Sequence, residues 1–316
     1  MTQKEIVVLD ALTIGGKHVF ESFSDLGNLR IFETTSPEQR LEHIGSAEII
    51  ITNKVVLDKS ILEAAKKLRL VCLTATGMNN VDLEYAREKG IKVTNVAGYS
   101  TESVAQHTFA LLLAFMHQTA YYDSYVKSGT YSKGSLFTHI GPAYCELQGK
   151  KWGIIGLGAI GRRVAGIAQA FGAEVLYYST SGKNATNDFA QCSLADLLQK
   201  SDIVSIHAPL NDDTYNLITY KELLLFQKHA LLLNVGRGGI IHEPDLARAL
   251  RENLIAGACI DVMEKEPIAA DNPLLSKDIA NKLLITPHVA WISNEALKTL
   301  LEKVYNQVKS YVNSAN

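Results

Sequence analysis

The chain has 316 residues, 47% of them hydrophobic and 20% charged, with a formal net charge of −2. That length suggests about two domains and is ample for a hydrophobic core. The near-neutral balance removes any electrostatic case for nucleic acid or an anionic membrane surface, and apolar runs such as 109–116 are too short to span a bilayer.

The start, MTQKEIVVLD, does not read as a secretory leader, because an acidic residue sits inside its short apolar run. A cytoplasmic location is the expectation. The four cysteines, Cys72, Cys145, Cys192 and Cys259, are far apart and show no C-x-x-C spacing. They suggest neither zinc nor a redox pair, and no metal is expected. Cys72 and Cys259 lie in strand-like runs and read as small core residues.

Residues 1–100 alternate strand and helix. Strands are predicted at 5–9 (EIVVL), 29–32, 47–52 (AEIIIT), 68–73 (LRLVCL) and 91–93. The clearest helices between them are 61–68 and 82–89 (DLEYAREK), the latter with Asp82 as N-cap and Gly90 as its stop. Repeated βα units imply a mostly parallel sheet covered by helices. Residues 101–117, TESVAQHTFALLLAFMH, form a long helix. Its even apolar character suggests burial between two domains. The segment 121–146 reads as irregular with short helical pieces. Its aromatics Tyr121, Tyr122, Tyr125 and Tyr131 suit a subunit contact or ordinary surface packing, and both readings stay open.

A second βα series begins at 148. Its strands are predicted at 152–155, 174–178, 202–206, 230–235, 255–261 and 283–286. Ser193 opens a helix toward Lys200 in an approximate capping box with Asp196. Pro244 sits near the start of a helix over 243–253, where its missing N–H costs little. Six strands joined by helices fit a dinucleotide fold of strand order 3-2-1-4-5-6. An amphipathic helix over 293–312 follows and can cross back to the first domain.

The stretch 151–171, KWGIIGLGAIGRRVAGIAQAF, organises this second series. Ile154 and Ile155 centre a buried strand. Gly156, Gly158 and Gly161 then fall as G-x-G-x-x-G. Ile160, Val164, Ile167, Ala168 and Phe171 recur at helical spacing. Gly156 allows the tight turn, Gly158 lets backbone approach a pyrophosphate, and Gly161 lets helix pack on strand. The helix N-terminus then receives the anionic phosphates. Three glycines alone would be weak grounds, but strand before and helix after is the context the motif requires.

Three further segments follow strands of the same sheet, at the carboxyl ends that face a ligand crevice in open α/β folds. In 234–239 (NVGRGG), Arg237 can hold a carboxylate in a bidentate fork. In 261–267 (DVMEKEP), Asp261 ends the strand, and Glu266 is held extended by the following proline. Taken singly, Glu266 reads as a solvated loop acid. In 286–291 (TPHVAW), His288 has the proton affinity of a general acid or base, though a packed or capping histidine fits as well. An Arg to hold an acid, a His to move a proton and a Glu to orient that His together make one chemistry. It is hydride transfer on a 2-oxo or 2-hydroxy acid.

With these residues the chain resembles the D-isomer-specific 2-hydroxyacid dehydrogenases along nearly its full length. The matching pieces are ATGMNNVD at 75–82, SVAQHTFALLL at 103–113, GLGAIG at 156–161, HAPL at 207–210, LLNVGRGGII at 232–241, DVMEKEP at 261–267 and TPHVAW at 286–291. Together with TNKVVL at 52–57, several of these look most like the glycerate dehydrogenase, or hydroxypyruvate reductase, branch. The resemblance implies an α/β fold of two doubly wound parallel-sheet domains, a Rossmann cofactor domain and a flavodoxin-like substrate domain, with a cleft between. The substrate domain is expected at 1–100 plus 287–316, and the dinucleotide-binding domain at 101–286.

The resemblance also implies roles. Arg237 binds the substrate carboxylate and carbonyl, His288 is the acid/base, and Glu266 is its partner. Backbone N–H groups near Thr76, Gly77 and Met78 hold the carboxylate. Ala159 and Ile160 approach the pyrophosphate, with Gly156, Gly158 and Gly161, and Asp261 approaches the nicotinamide carboxamide. Thr108, Ala208, Pro209, Thr214, Val235 and Gly236 line the cofactor groove. A homodimer is expected through the cofactor domain.

One departure bears on the cofactor. Ser179 stands at the end of the second strand of this series, where an acid would bind the adenosine ribose and repel a 2′-phosphate. Thr180, Ser181 and Lys183 follow and could contact such a phosphate. NAD or NADP is therefore implied, with NAD slightly favoured. His242 stands where the family commonly has Asp and receives no role, and His207 reads as structural. Two other classes fit the residues less well. An NADH-sensing corepressor shares the fold and can keep the same three residues, but the chain has no basic patch. A methyltransferase gives no reason for the Arg–Glu–His set.

Overall fold

The computed structural model describes residues 3–314, so the outermost residues of the expected first domain, 1–2 and 315–316, lie outside it. The chain divides into two compact units. Unit 1 comprises the described residues of Met1–Ser100 and Ile292–Asn316, and unit 2 is Thr101–Trp291. The chain returns to unit 1 at Ile292, after the TPHVAW segment, rather than at 287.

Unit 1 is built on β1 (Glu5–Val8), β2 (Asn28–Ile31), β3 (Ile49–Thr52), β4 (Leu70–Leu73) and β5 (Lys92–Thr94). All pair in parallel in the order β2-β1-β3-β4-β5, the flavodoxin-like order. β3 and β4 are buried at every position, as strands covered on both faces must be. The helix predicted at 61–68 lies earlier, at Lys59–Ala64. Asp58 starts it by accepting from the Ile61 N–H at 3.1 Å. Asp82 caps Leu83–Glu88 in the same way, accepting from the Tyr85 N–H at 2.9 Å. The last helix, Asn294–Ser314, belongs to this unit and turns Ala296, Leu300, Val304 and Val308 inward, an i, i+4 stripe.

Unit 2 is built on β6 (Lys151–Ile155), β7 (Glu174–Tyr178), β8 (Ala190–Gln191), β9 (Ile203–Ile206), β10 (Leu231–Asn234), β11 (Gly257–Ile260) and β12 (Leu283–Ile285). The spatial order is β12-β11-β10-β9-β6-β7-β8. Counted within the unit, this is 3-2-1-4-5-6 with a seventh strand added. No strand is expected where β8 lies, so 202–206 is expected as the third strand of the series. It is the fourth, paired with β6. β8 is two exposed residues with no apolar run to reveal it, a short edge of the kind that discourages pairing with other chains.

The helix Thr101–His117 turns one face inward, including Val104, Phe109 and Leu112. These join Trp152, Ile154 and Val164 in one core cluster of unit 2. The segment predicted to be irregular from 121 starts with a nine-residue helix, Thr119–Lys127. It buries no side chain, so no apolar period signalled it. Its aromatics fold onto their own loop. Tyr125 stacks on His139 with ring centroids 3.7 Å apart, and the Tyr121 hydroxyl lies 2.8 Å from His139 Nε2. Among the described residues no helix is long and apolar enough to cross a membrane. Cys72 and Cys259 are fully buried, and burial pushes their thiols up to about 11 and about 12.

The turn from β6 into the helix Ala159–Ala170 depends on its glycines. Gly156 has φ +91°, and its N–H donates to Tyr178 O at 3.0 Å, which joins this turn to the end of β7. A Cβ on Gly156 would meet Ala208 N at 2.8 Å, and one on Gly161 would meet Gly156 O at 2.2 Å. Helix and turn therefore touch through the missing side chain of Gly161. Gly161→Ala should lower the stability of unit 2 by about 1–3 kcal/mol, the usual cost of overpacking. Urea unfolding followed by Trp152 fluorescence measures it, and an unchanged midpoint would contradict the close packing.

Candidate active site

β10, β11 and β12 are neighbours and parallel. Their carboxyl ends therefore lie on one edge of the sheet, and the loops carrying Arg237, Glu266 and His288 leave from that edge.

The loop after β10 is braced by Asn234. Its Nδ2 donates to Arg237 O at 2.9 Å, and its Oδ1 accepts from the Gly236 N–H at 3.1 Å. Arg237 is half-buried, with Nη1 donating to Gly236 O at 2.8 Å. Gly238 is the contact point with the next loop. A Cβ there would lie 1.9 Å from Met263 O and 2.5 Å from Glu264 N. Only glycine lets the Arg237 loop rest on the loop that carries Glu266. From the sequence alone Gly238 receives no role. The signal that could have found it is a second glycine at the close of a buried strand.

Glu266 Oε1 accepts from the Met263 N–H at 3.1 Å, and Oε2 lies 2.8 Å from His288 Nδ1. An ionised carboxylate can only accept, so Nδ1 carries the proton, and Nε2 is the nitrogen left for exchange with a ligand. Both side chains keep solvent contact, His288 at 21% and Glu266 at 32%. His288 has φ +56°, a left-handed backbone that a non-glycine residue adopts at a cost. Its N–H donates to Asp261 O at 2.8 Å and to Thr286 O at 3.0 Å, which holds the strained turn closed.

Asp261 supplies the rest of that hold. Its side chain is 0% exposed. Oδ1 accepts from Thr286 Oγ1 at 2.6 Å and from the Val289 N–H at 2.9 Å, and Oδ2 accepts from the Ala290 N–H at 2.9 Å. Burial works to raise its proton affinity, but the bonds from His107, Thr286, Val289 and Ala290 outweigh it and hold the carboxyl below its ordinary value. The residue expected to approach the nicotinamide carboxamide is thus enclosed, and it scaffolds the His288 turn.

Several residues expected to line a cofactor groove also face inward. Thr108 is 0% exposed, and its hydroxyl donates to Val104 O at 2.8 Å, one helical turn back. Thr214 is 0% exposed and ties its loop by donating to Pro209 O at 2.7 Å. Ala208 and Val235 are buried, Gly236 is half-buried, and Pro209 is exposed. The spacing of a family motif carries such residues along without showing which way they point. His207, read as structural, is held so. Trp152 Nε1 donates to Ser205 Oγ at 2.8 Å, Ser205 Oγ lies 3.0 Å from His207 Nε2, and burial pulls the imidazole down to about 3. His242 Nδ1 stands 2.8 Å from Asp245 Oδ2, at ion-pair distance but without hydrogen-bond alignment.

The glycine turn fits a dinucleotide. A Cβ on Gly158 would meet nothing within 4 Å, so the space above it is open. Gly158 is the N-cap of the helix Ala159–Ala170, and no side chain caps that helix, so the first N–H groups are left to an anion. Ser179 directly follows β7 and is half-buried. The carbonyl of Tyr178, one residue before it, bonds the Gly156 N–H, which sets Ser179 beside the turn. In unit 1, Thr76, Gly77 and Met78 follow β4. Thr76 Oγ1 donates to Val96 O at 3.1 Å, and Asn95 Nδ2 donates to Thr76 O at 2.6 Å. Among the described residues no cluster of His, Cys, Asp and Glu could hold a metal ion.

Comparison with known proteins agrees with this geometry. Residues 109–290 match the family model described as D-isomer specific 2-hydroxyacid dehydrogenase, NAD binding domain. A hydroxypyruvate reductase of Blautia hydrogenotrophica is 35% identical over 98% of this chain and 97% of its own. The D-lactate dehydrogenase of Aquifex aeolicus, solved with NAD and lactic acid, superposes with a TM-score of 0.86 at 28% identity, covering 98% of this chain and 96% of the other. An acyclic imino acid reductase solved with NADPH and D-Arg superposes with a TM-score of 0.86 at 30% identity, covering 98% and 97%. Two parallel α/β sheets, the glycine turn and the three strand-end loops thus have one common source: the chain belongs to the D-isomer-specific 2-hydroxyacid dehydrogenase family.

Proposed function

We propose that this chain interconverts hydroxypyruvate and D-glycerate using NADH or NADPH, with NADH slightly favoured. The observation that carries the reading is the His288–Glu266 pair at 2.8 Å, on the sheet edge that also bears Arg237. The relative named hydroxypyruvate reductase supports the substrate choice. The bound cofactor supplies the hydride. Arg237 holds the substrate carboxylate through its planar fork. His288 starts as the imidazolium and gives its Nε2 proton to the carbonyl oxygen as charge develops there. Glu266 fixes the ring by accepting from Nδ1. In the oxidative direction neutral Nε2 takes the hydroxyl proton. The N–H groups of Ala159 and Ile160 would hold the pyrophosphate, and Ser179 would lie beside the adenosine ribose. We also assign a cytoplasmic homodimer. Phe137 at 91% exposure and Ile140 at 92% are among the exposed apolar side chains of unit 2 that a second copy would cover.

Steady-state reduction of hydroxypyruvate, glyoxylate, pyruvate and phenylpyruvate tests the substrate. Hydroxypyruvate should give the highest kcat/KM. His288→Ala should lose ~10²–10⁴-fold in kcat, the worth of a general acid, while NADH fluorescence titration stays unchanged. A fully active variant would remove His288 from the mechanism.

Glu266→Gln replaces the charged acceptor of the Nδ1 proton by a neutral one and weakens the hold on the ring. For hydroxypyruvate kcat should fall about tenfold, the worth of a hydrogen bond to a charged group, with little change in the NADH dissociation constant measured by fluorescence. An unchanged kcat would mean that His288 is positioned without Glu266.

Cofactor choice is tested at Ser179. An acid at this position repels a 2′-phosphate, and this chain has none. Ser179→Asp should lower kcat/KM for NADPH by about tenfold or more, since 1.4 kcal/mol suffices for tenfold and like-charge juxtaposition costs several. NADH should be little affected. If the NADPH to NADH ratio keeps its wild-type value, Ser179 does not face the ribose.

A further inference from the structure

The turn that carries His288 is gripped from behind by one face of the helix Thr101–His117. Ser103 Oγ donates to Ala290 O at 2.6 Å. One helical turn on, His107 Nε2 lies 3.2 Å from Thr286 Oγ1 and 3.5 Å from Asp261 Oδ1. Residues four apart share a helix face, so the helix meets the turn near both its ends. All these residues lie in unit 2.

The hydrogens can be assigned from valence. Thr286 Oγ1 sits 2.6 Å from Asp261 Oδ1, and an ionised carboxylate accepts only. The threonine proton is therefore spent on Asp261. Toward His107 the same oxygen can only accept, so His107 Nε2 must carry a proton and donate it. Asp261 then holds the Val289 and Ala290 N–H groups, next in sequence to His288 in its left-handed backbone. The contacts form one line: His107 donates toward Thr286 and Asp261, and Asp261 accepts from the turn.

We propose that His107 is a positioning residue for His288, acting through Thr286 and Asp261 to hold the turn 286–290 in its strained form. It completes the donor shell of a carboxylate that has no solvent to fall back on. A buried carboxylate that loses one of its donors must find another, and the donors within reach are the turn's own groups. The turn then shifts, and His288 with it. This proposal rests on the reading of His288 as the proton donor.

The test compares His107→Leu, His107→Gln and wild type. Gln keeps an N–H donor near the position of Nε2, whereas Leu keeps only the bulk. His107→Leu should lower kcat about tenfold, the typical worth of a hydrogen bond to a charged group, with little change in the NADH dissociation constant measured by fluorescence. Amide hydrogen exchange in a peptide covering 284–291 should quicken in the same variant. His107→Gln should restore both to near wild type. If His107→Leu does not fold, Thr286→Val removes the bridging hydroxyl at equal volume and should give the same two changes. Unchanged exchange in the folded variant overturns the proposal, as does a loss of kcat that Gln shares equally with Leu. Quickened exchange with wild-type kcat, while His288→Ala is inactive, also overturns it. A fully active His288→Ala would instead sink the underlying reading, and the exchange result would still decide whether His107 holds the turn.

Discussion

The buried carboxylate of Asp261 is the interaction on which the rest of this site depends. It ends β11, is closed off from water, and collects donors from Thr286, Val289 and Ala290. A charge enclosed in this way is tolerable only when its oxygens are well supplied with donors. Here the donors are the turn that bears His288. The requirement to satisfy one buried charge thus becomes the force that holds a histidine in left-handed backbone and sets its Nδ1 against Glu266. Without that hold His288 would relax, because φ near +56° is unfavourable for a residue with a side chain.

Absent side chains act with the same weight as present ones. Gly161 lets the helix Ala159–Ala170 lie on the carbonyl of Gly156, and Gly238 lets the Arg237 loop lie on Met263 and Glu264. The first contact shapes the turn that can receive phosphates. The second links the Arg237 loop to the loop that carries Glu266. Gly158 differs from both, since the space above it is empty. Of three glycines in one motif, two meet the chain's own atoms and one faces open space.

Parallel topology does the gathering. Arg237, Glu266 and His288 are separated in sequence, yet each follows one of three adjacent strands running the same way. No local interaction could bring them to one edge. The sheet does so because right-handed crossovers return every strand with the same polarity. Catalytic residues can then occupy loops while the strands behind them, buried at nearly every position, provide rigidity.

Much of this was legible in the sequence. The strands betrayed themselves as short apolar runs, since strands covered on both faces must be apolar throughout. Asp82 and Ser193 mark helix starts by chemistry that is local in the chain. The glycine spacing, the Arg, Glu and His after successive strands, and the missing acid at Ser179 could all be read in one dimension. What the sequence could not supply were facts about direction and depth. β8 has two exposed residues and no period, so its existence depends on β7 beside it. The helix Thr119–Lys127 has no buried face and therefore no stripe. Thr108 and Thr214 stand in the motif but point inward, and Asp261 is enclosed by the turn it scaffolds. His107 acquires its partners only when a helix is laid against a turn about 180 residues later in the chain. Sequence alone determined which chemistry the chain carries, because residue type and spacing along a strand or helix are local. Tertiary structure alone decided which polar groups face one another, because that depends on packing between segments that the chain keeps far apart.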